Sequence, residues 1–330
     1  MTSAEATAAT TLAPFSIEPR FVTRVWGYRD LRPWYDRTAE AEPIGEVWLT
    51  GDECMVGSGP FRGQTLAELF RQAPQALLGP HASGTDSPLL VKMIFAREKL
   101  SVQVHPDDKL AQKYGQPRGK TECWYAVTAD PGAQVAAGLK PGVTLDQVRA
   151  GIRNGTLEES LNVLPVAPGD MVFVDAGTVH AIWPGSVLLE TQQNCDLTYR
   201  MYDYGRPREL HIEKSLEATR LATRAGKVPP RALADRTILI DEDYFCVERI
   251  SVTGSRAGAT LPGAAEPVPG LAYLFAAAGV GRIAGEGFAA VELPTRGIVA
   301  IPASSPAFAV QDLGGLDLMR ISPRWPAARG

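Results

Sequence analysis

Gln103 and His105, two apart in Ser101-Val-Gln-Val-His-Pro-Asp, are side chains able to hold a metal ion. Side chains at i and i+2 of a strand share a face, so both can reach one point inside a β-structure. The apolar run Leu89-Leu90-Val91-Lys92-Met93-Ile94-Phe95 just before them reads as a buried strand. Glu122 follows in Lys120-Thr-Glu-Cys-Trp-Tyr, and His180 closes Gly169-Asp-Met-Val-Phe-Val-Asp-Ala-Gly-Thr-Val-His. Imidazoles, a carboxylate and an amide make a ligand set suited to Zn²⁺ or a similar divalent ion. A histidine taken singly is more often a surface or satisfied core residue, and the combination is what carries the metal reading. Gln103 is the weakest member, because a neutral amide is a poor zinc ligand.

Gly169, Asp175, Gly177 and His180 fall at the spacing of the second cupin motif, with Asp175 where that motif has proline. Proline there shapes a turn and ligates nothing, so the metal chemistry is unaffected. The first cupin motif is altered too: Gln-x-His replaces His-x-His, and the glutamate lies farther off. With these departures, Leu-Leu-Val-Lys92-Met-Ile, Ser101-Val-Gln-Val-His, Gly-Lys120-Thr-Glu-Cys-Trp-Tyr and Gly-Thr-Val-His180-Ala-Ile resemble the type I mannose-6-phosphate isomerases, closest to their short bacterial branch. Leu189-Glu190-Thr-Gln-Gln-Asn-Cys-Asp196-Leu-Thr-Tyr-Arg200 resembles them as well, as does Arg208-Glu-Leu-His211. The resemblance spans roughly residues 15 to 225, with several motifs in order.

That resemblance implies one zinc ion, or another divalent metal, held by Gln103, His105, Glu122 and His180. It implies a sugar-phosphate substrate, with mannose 6-phosphate and fructose 6-phosphate interconverted through a cis-enediol(ate). Such chemistry needs an acid/base group near C1 and C2 and positive charge where the oxygens become anionic. Arg200 resembles the family's active-site arginine, whose fixed charge suits that oxyanion. Glu190 and Asp196 are candidates for orienting Arg200 or moving protons. Lys92 and Ser101 resemble phosphate-binding positions. Lys120, two residues before Glu122 on one strand face, must point into the metal cavity. Beside a cation its pKa is expected to fall, as suits a proton shuttle, or it binds the phosphate.

Two competing readings stay open. A cupin dioxygenase using Fe²⁺ normally wants a third histidine, and the motifs supply none. A non-catalytic sugar-phosphate-binding cupin has no need to keep Arg200, Lys120 and the ligands together. Gly119-Lys120-Thr121 superficially suggests a P-loop, but Tyr114 occupies the required earlier glycine and a strand follows where a helix is needed.

The elements that must position these groups are short apolar runs separated by Gly, Pro and Asp. They predict a mainly β fold, two cupin-like β-sandwich or jelly-roll barrels with a few short helices. Helical patterns cover about Thr65 to Gln72, Leu145 to Asn154 and Ile212 to Ala225, the first two with capping boxes. Pro229-Pro230 forbids helix and suggests a linker. The expected organisation is a disordered tail over 1–14, a metal-binding catalytic domain over 15–228, and a degenerate cupin-like sandwich over 229–330. Arg296-Gly-Ile-Val-Ala-Ile-Pro302 echoes Gly169 to Asp175, and Ala307 stands at the place of His180, so the second sandwich cannot bind metal through imidazole. All four histidines, His81, His105, His180 and His211, precede it.

At 330 residues with 45% hydrophobic content the chain can bury two cores. A net charge of −4 offers no broad attraction for nucleic acid or an anionic membrane surface. No apolar stretch reaches membrane-span length, and the first residues lack a basic segment and a long apolar core. Four scattered cysteines suit reduced thiols in the cytoplasm. Oligomeric state is not legible.

Overall fold

Apolar runs bounded by turn residues become strands because each can bury one or both faces against a second sheet. The computed structural model describes residues 11–79, 84–252 and 270–325. Residues 1–10 of the expected tail, His81, and residues 253–269 and 326–330 of the expected second domain lie outside them.

The fold is mainly β, and its chain divides into two units. One comprises Arg20–Leu49 and Pro88–Pro230; the other takes the chain up to Pro19, Thr50–Ser87, and Arg231 onward. The division near Pro230 falls at the proline pair. The first-numbered strands are interleaved, because Phe15–Glu18 pairs antiparallel with Ile298–Ile301. Leu12, inside the stretch expected to be a tail, is buried and donates its N–H to Ser304 Oγ.

The unit containing Gln103 is an antiparallel sandwich. Its seven-stranded sheet runs Gly226–Val228, Met171–Val174, Glu122–Ala129, Ser186–Gln193, Leu89–Phe95, Ile44–Trp48, Arg20–Tyr28. Its five-stranded sheet runs Tyr199–Tyr202, Val102–Val104, His180–Ile182, Gln134–Leu139, Leu161–Pro165. Trp26, Ile94, Trp124, Val172 and Leu188 of the first sheet pack on Val135, Ala137 and Ile182 of the second. Both sheets keep their edges, and no closed barrel forms among the described residues. A three-residue edge strand leading into Pro229 has no further N–H to extend the ladder.

The outer face of the five-stranded sheet is covered by helices. Val148 and Ile152 of Leu145–Asn154 and Leu216 of Ile212–Ala218 pack on Val102, Val104, Val179 and Tyr199. The capping boxes form as the sequence predicts, at Thr65 with Glu68 and at Thr144 with Gln147. The last helix ends at Ala218, seven residues short of Ala225, because Arg220 N–H binds Gly177 O and the chain turns into that strand turn. Two short helices have no periodic signal in the sequence, Pro74–Leu78 and Asp108–Lys113, the latter capped by Asp107.

The second unit pairs an eight-stranded sheet with a three-stranded one, Val291–Leu293, Gly281–Gly285, Phe308–Asp312. The sequence echo has a structural counterpart. Met171–Val174 and Ile298–Ile301 lie in the larger sheets of their units, and after a turn His180–Ile182 and Phe308–Asp312 lie in the smaller ones.

Candidate active site and metal centre

Strand register sets out the first row of the site. Gln103 lies opposite His180 on one side and opposite Arg200 on the other, so three strands present these residues abreast. The facing sheet supplies a second row, with Lys92 directly opposite Glu190. Glu122 opens its strand beside Gln192 and Val174. His105 lies just past Val102–Val104, and its carbonyl accepts from Gly177 N at 2.8 Å, tying the turn that delivers His180 to the histidine it must meet. At Asp175 the carboxylate does the turn-shaping of the motif's proline: Thr178 Oγ1 and the Arg224 N–H donate to it.

Both imidazoles are fixed by backbone carbonyls. His105 Nδ1 donates to Leu197 O and His180 Nδ1 donates to Thr178 O, each at 2.9 Å. A carbonyl can only accept, so each ring carries its proton on Nδ1 and aims an Nε2 lone pair inward. There Nε2 of His105 is 3.5 Å from Glu122 Oε2, and Nε2 of His180 is 3.4 Å from Glu122 Oε1. The ligand atoms of His105, Glu122 and His180 lie within 4.8 Å of one another, the only such group among the described residues. All three are buried. Gln103 Nε2 donates to His180 Nε2 at 3.2 Å, which brings the amide to the same centre. Glu122 Oε2 is buried without a hydrogen-bond partner, and the Lys120 ammonium is held 2.9 Å from it and 3.0 Å from His105 Nε2. The donor set therefore attracts positive charge, as the ligands of a divalent cation must.

Behind the ligands, buried charges alternate in sign. Lys120 Nζ is 3.4 Å from Glu190, Glu190 is 3.7 Å from Lys92, and Lys92 is 3.6 Å from Glu46. Arg24 then bridges Glu46 at 2.9 Å and Asp196 at 3.5 Å. Burial pushes Glu190 up to about 7, with Glu122 adding to the rise and Lys92 and Lys120 opposing it. Burial also pulls His180 down to about 4 and His105 well below its ordinary value. Lys120 is pulled both ways. Burial lowers its pKa, but the carboxylates of Glu122, Glu190 and Asp196 outweigh burial, and the net direction is up. A cation bound beside it acts in the opposite sense.

A cavity of about 410 Å³ opens over this floor. Lys92, Ser101, Gln103, Lys120, Glu122, Glu190, Asp196 and Arg200 all line it. His105 and His180 do not line it and adjoin it through Glu122. Arg200 Nη1 donates to Glu209 O at 2.8 Å, and its Nε is buried without a hydrogen-bond partner. The nearby aspartates are engaged elsewhere: Asp196 faces Arg24, and Asp203 holds Arg206 and Arg208. Arg24, Glu46 and Arg208 also line the cavity and are not among the sequence-derived site residues. Arg208 opens the resembling stretch Arg208-Glu-Leu-His211, so motif membership was a usable signal for it, and Glu46 lies in Ile44-Gly45-Glu46-Val47-Trp48, which fits the same family near the start of the chain. Arg24 had none.

The model for phosphomannose isomerase type I, catalytic domain, matches residues 17–145. A mannose-6-phosphate isomerase of Streptococcus mutans is 34% identical over 255 residues, 73% of this chain and 80% of the relative. Mannose-6-phosphate isomerase ManA of Bacillus subtilis is 35% identical over 264 residues, 74% of this chain and 81% of the relative. Among solved structures, a mannose 6-phosphate isomerase from Bacillus subtilis superposes with a TM-score of 0.82 at 28% identity, covering 94% of this chain and all of that one.

Proposed function

The chain belongs to the type I phosphomannose isomerase family and is an isomerase, and we propose that it interconverts mannose 6-phosphate and fructose 6-phosphate with one zinc ion. The observation that carries the metal reading is the inward convergence of two Nδ1-protonated imidazoles on the Glu122 carboxylate. His105, Glu122 and His180 would hold the ion, with Gln103 as fourth ligand. When bound, the ion supplies Lewis-acid polarisation of the sugar carbonyl and orients the substrate's oxygens.

The side chains supply the rest. Isomerisation takes a proton from C2 of the aldose and returns it at C1, through a cis-enediol(ate). Glu190, buried on the cavity floor with Oε1 lacking a hydrogen-bond partner, is placed to move that proton. Lys120, held between Glu122 and Glu190, is placed to donate to the oxygen that becomes anionic or to pass the proton on. Arg200 adds a permanent charge with a free Nε, and Asp196 orients Arg24 alongside. Ser101 and Lys92 contact the substrate. Lys92 stands between two carboxylates, which suits it to sugar hydroxyls more than to a lone phosphate.

Two imidazoles and one carboxylate also suit an iron(II) oxygenase. The cavity's lysines and arginines suit an anionic sugar substrate. The family assignment agrees. No described helix is long and apolar enough to cross a membrane, and the four cysteines are free and buried, which fits a reducing compartment such as the cytoplasm. The direct test follows mannose 6-phosphate labelled with deuterium at C2. The reading predicts ketose carrying label at C1 or label washed out to solvent. Label retained at C2, with no ketose formed from any hexose 6-phosphate, contradicts it.

A further inference from the structure

Asp203 is buried, takes no part in the chemistry above, and holds two arginines at once. Arg208 donates to it from Nε and from Nη2, each at 2.6 Å, and Arg206 donates from Nη1 at 3.0 Å. The chain doubles back between these partners through two left-handed residues, Tyr204 at φ 56° and Gly205 at φ 80°. A tyrosine resists that conformation, and such strain persists where the surroundings impose it. Here the Tyr204 hydroxyl donates to Glu158 at 2.8 Å, and the ring lies against Lys99 and Arg206.

The two arginines differ in what they have left to offer. Arg206 is turned onto the protein, donating to Lys99 O and Glu98. Arg208 lines the cavity at its more exposed end, 24% exposed against 1% for the Glu122 side chain. Its grip on Asp203 occupies Nε and one hydrogen of Nη2, so Nη1 and the other Nη2 hydrogen stay free for an anion. Arg200 lines the same cavity with its own unpartnered Nε.

We propose that Asp203 is a positioning residue that fixes Arg208 as the receptor for the dianionic phosphate ester of the substrate, leaving Arg200 to the oxyanion. This rests on the isomerase reading and deepens it.

Asp203→Asn keeps the shape of the side chain and removes its charge. Its KM for mannose 6-phosphate is expected to rise at least ~10-fold with kcat within about threefold. Zinc content should be unchanged, and calorimetric affinity for inorganic phosphate should fall in parallel. Arg208→Gln should raise KM likewise, and the double variant should be no worse than Arg208→Gln alone, because Asp203 acts through Arg208. Unchanged KM in Arg208→Gln overturns the proposal even if Asp203→Asn does not fold. Additive effects overturn it too, as does a loss confined to kcat. Phosphate binding that depends on Arg208 in a protein without isomerase activity sinks the isomerase reading alone. Isomerase activity with phosphate binding equal in all variants sinks this proposal alone.

Discussion

His105 and His180 each commit Nδ1 to a backbone carbonyl, which leaves ring orientation little freedom and aims both lone pairs at Glu122. Removing one ring should therefore remove the metal as well as the turnover. His180→Ala is expected to lose bound zinc and at least ~100-fold in activity, read by metal analysis and a coupled assay. Arg200→Ala should keep its zinc and lose ~100-fold or more, mostly in kcat, since its charge matters most where the oxyanion forms. A normal kcat would make Arg200 structural. At this scale short spacing was informative: Gln103 and His105, and Lys120 and Glu122, reach one centre although His105 lies just past its strand and Lys120 just before its own. It was silent on Arg24, which reaches the site from another strand, and on the pull that Glu190 and Asp196 exert on Lys120 from elsewhere in the chain.

The turn from Asp175 to His180 shows how an element delivers a ligand. Gly177 has φ 90°, and a Cβ there would lie 2.7 Å from Arg220 Cγ and 3.1 Å from Ala218 O. Gly177→Ala is expected to cost about 1–3 kcal/mol of stability and to weaken zinc retention, because the same residue's N–H holds His105 O. Thermal unfolding with and without zinc measures both effects; a variant equal to the parent in both would contradict this role. This turn was legible because its glycine and histidine spacing is local. The Ile212 helix was over-extended by the same kind of local reasoning, since its end is set by Arg220 binding back to Gly177. Asp108–Lys113 was missed because six residues hold too little periodicity to stand out.

Over the whole molecule, a mainly β fold of several sheets was foreseeable from the short apolar runs. The interleaving of the units along the chain was not, since the pairing of Phe15–Glu18 with Ile298–Ile301 joins residues that no local pattern connects. The charge ladder makes stability depend on pH. Burial raises the Glu46 pKa, but Lys92 and Arg24 outweigh burial and hold it at about 2, below the usual 4.5. A depressed carboxyl stabilises the fold fully above about pH 4.5 and loses that contribution as pH falls towards 2. The shift corresponds to about 3 kcal/mol. Glu46→Gln should be less stable than the parent at pH 7 by that order, with the two converging near pH 2, by denaturant unfolding at both pH values; a constant gap would exclude this origin. The centre of the account is a catalytic cation between His105, Glu122 and His180. One sample, assayed for mannose 6-phosphate turnover and metal content before chelation, after it, and after zinc is restored, tests this most directly. About one zinc per chain, with activity lost and regained alongside it, is the predicted result. Full turnover by metal-free protein would contradict it.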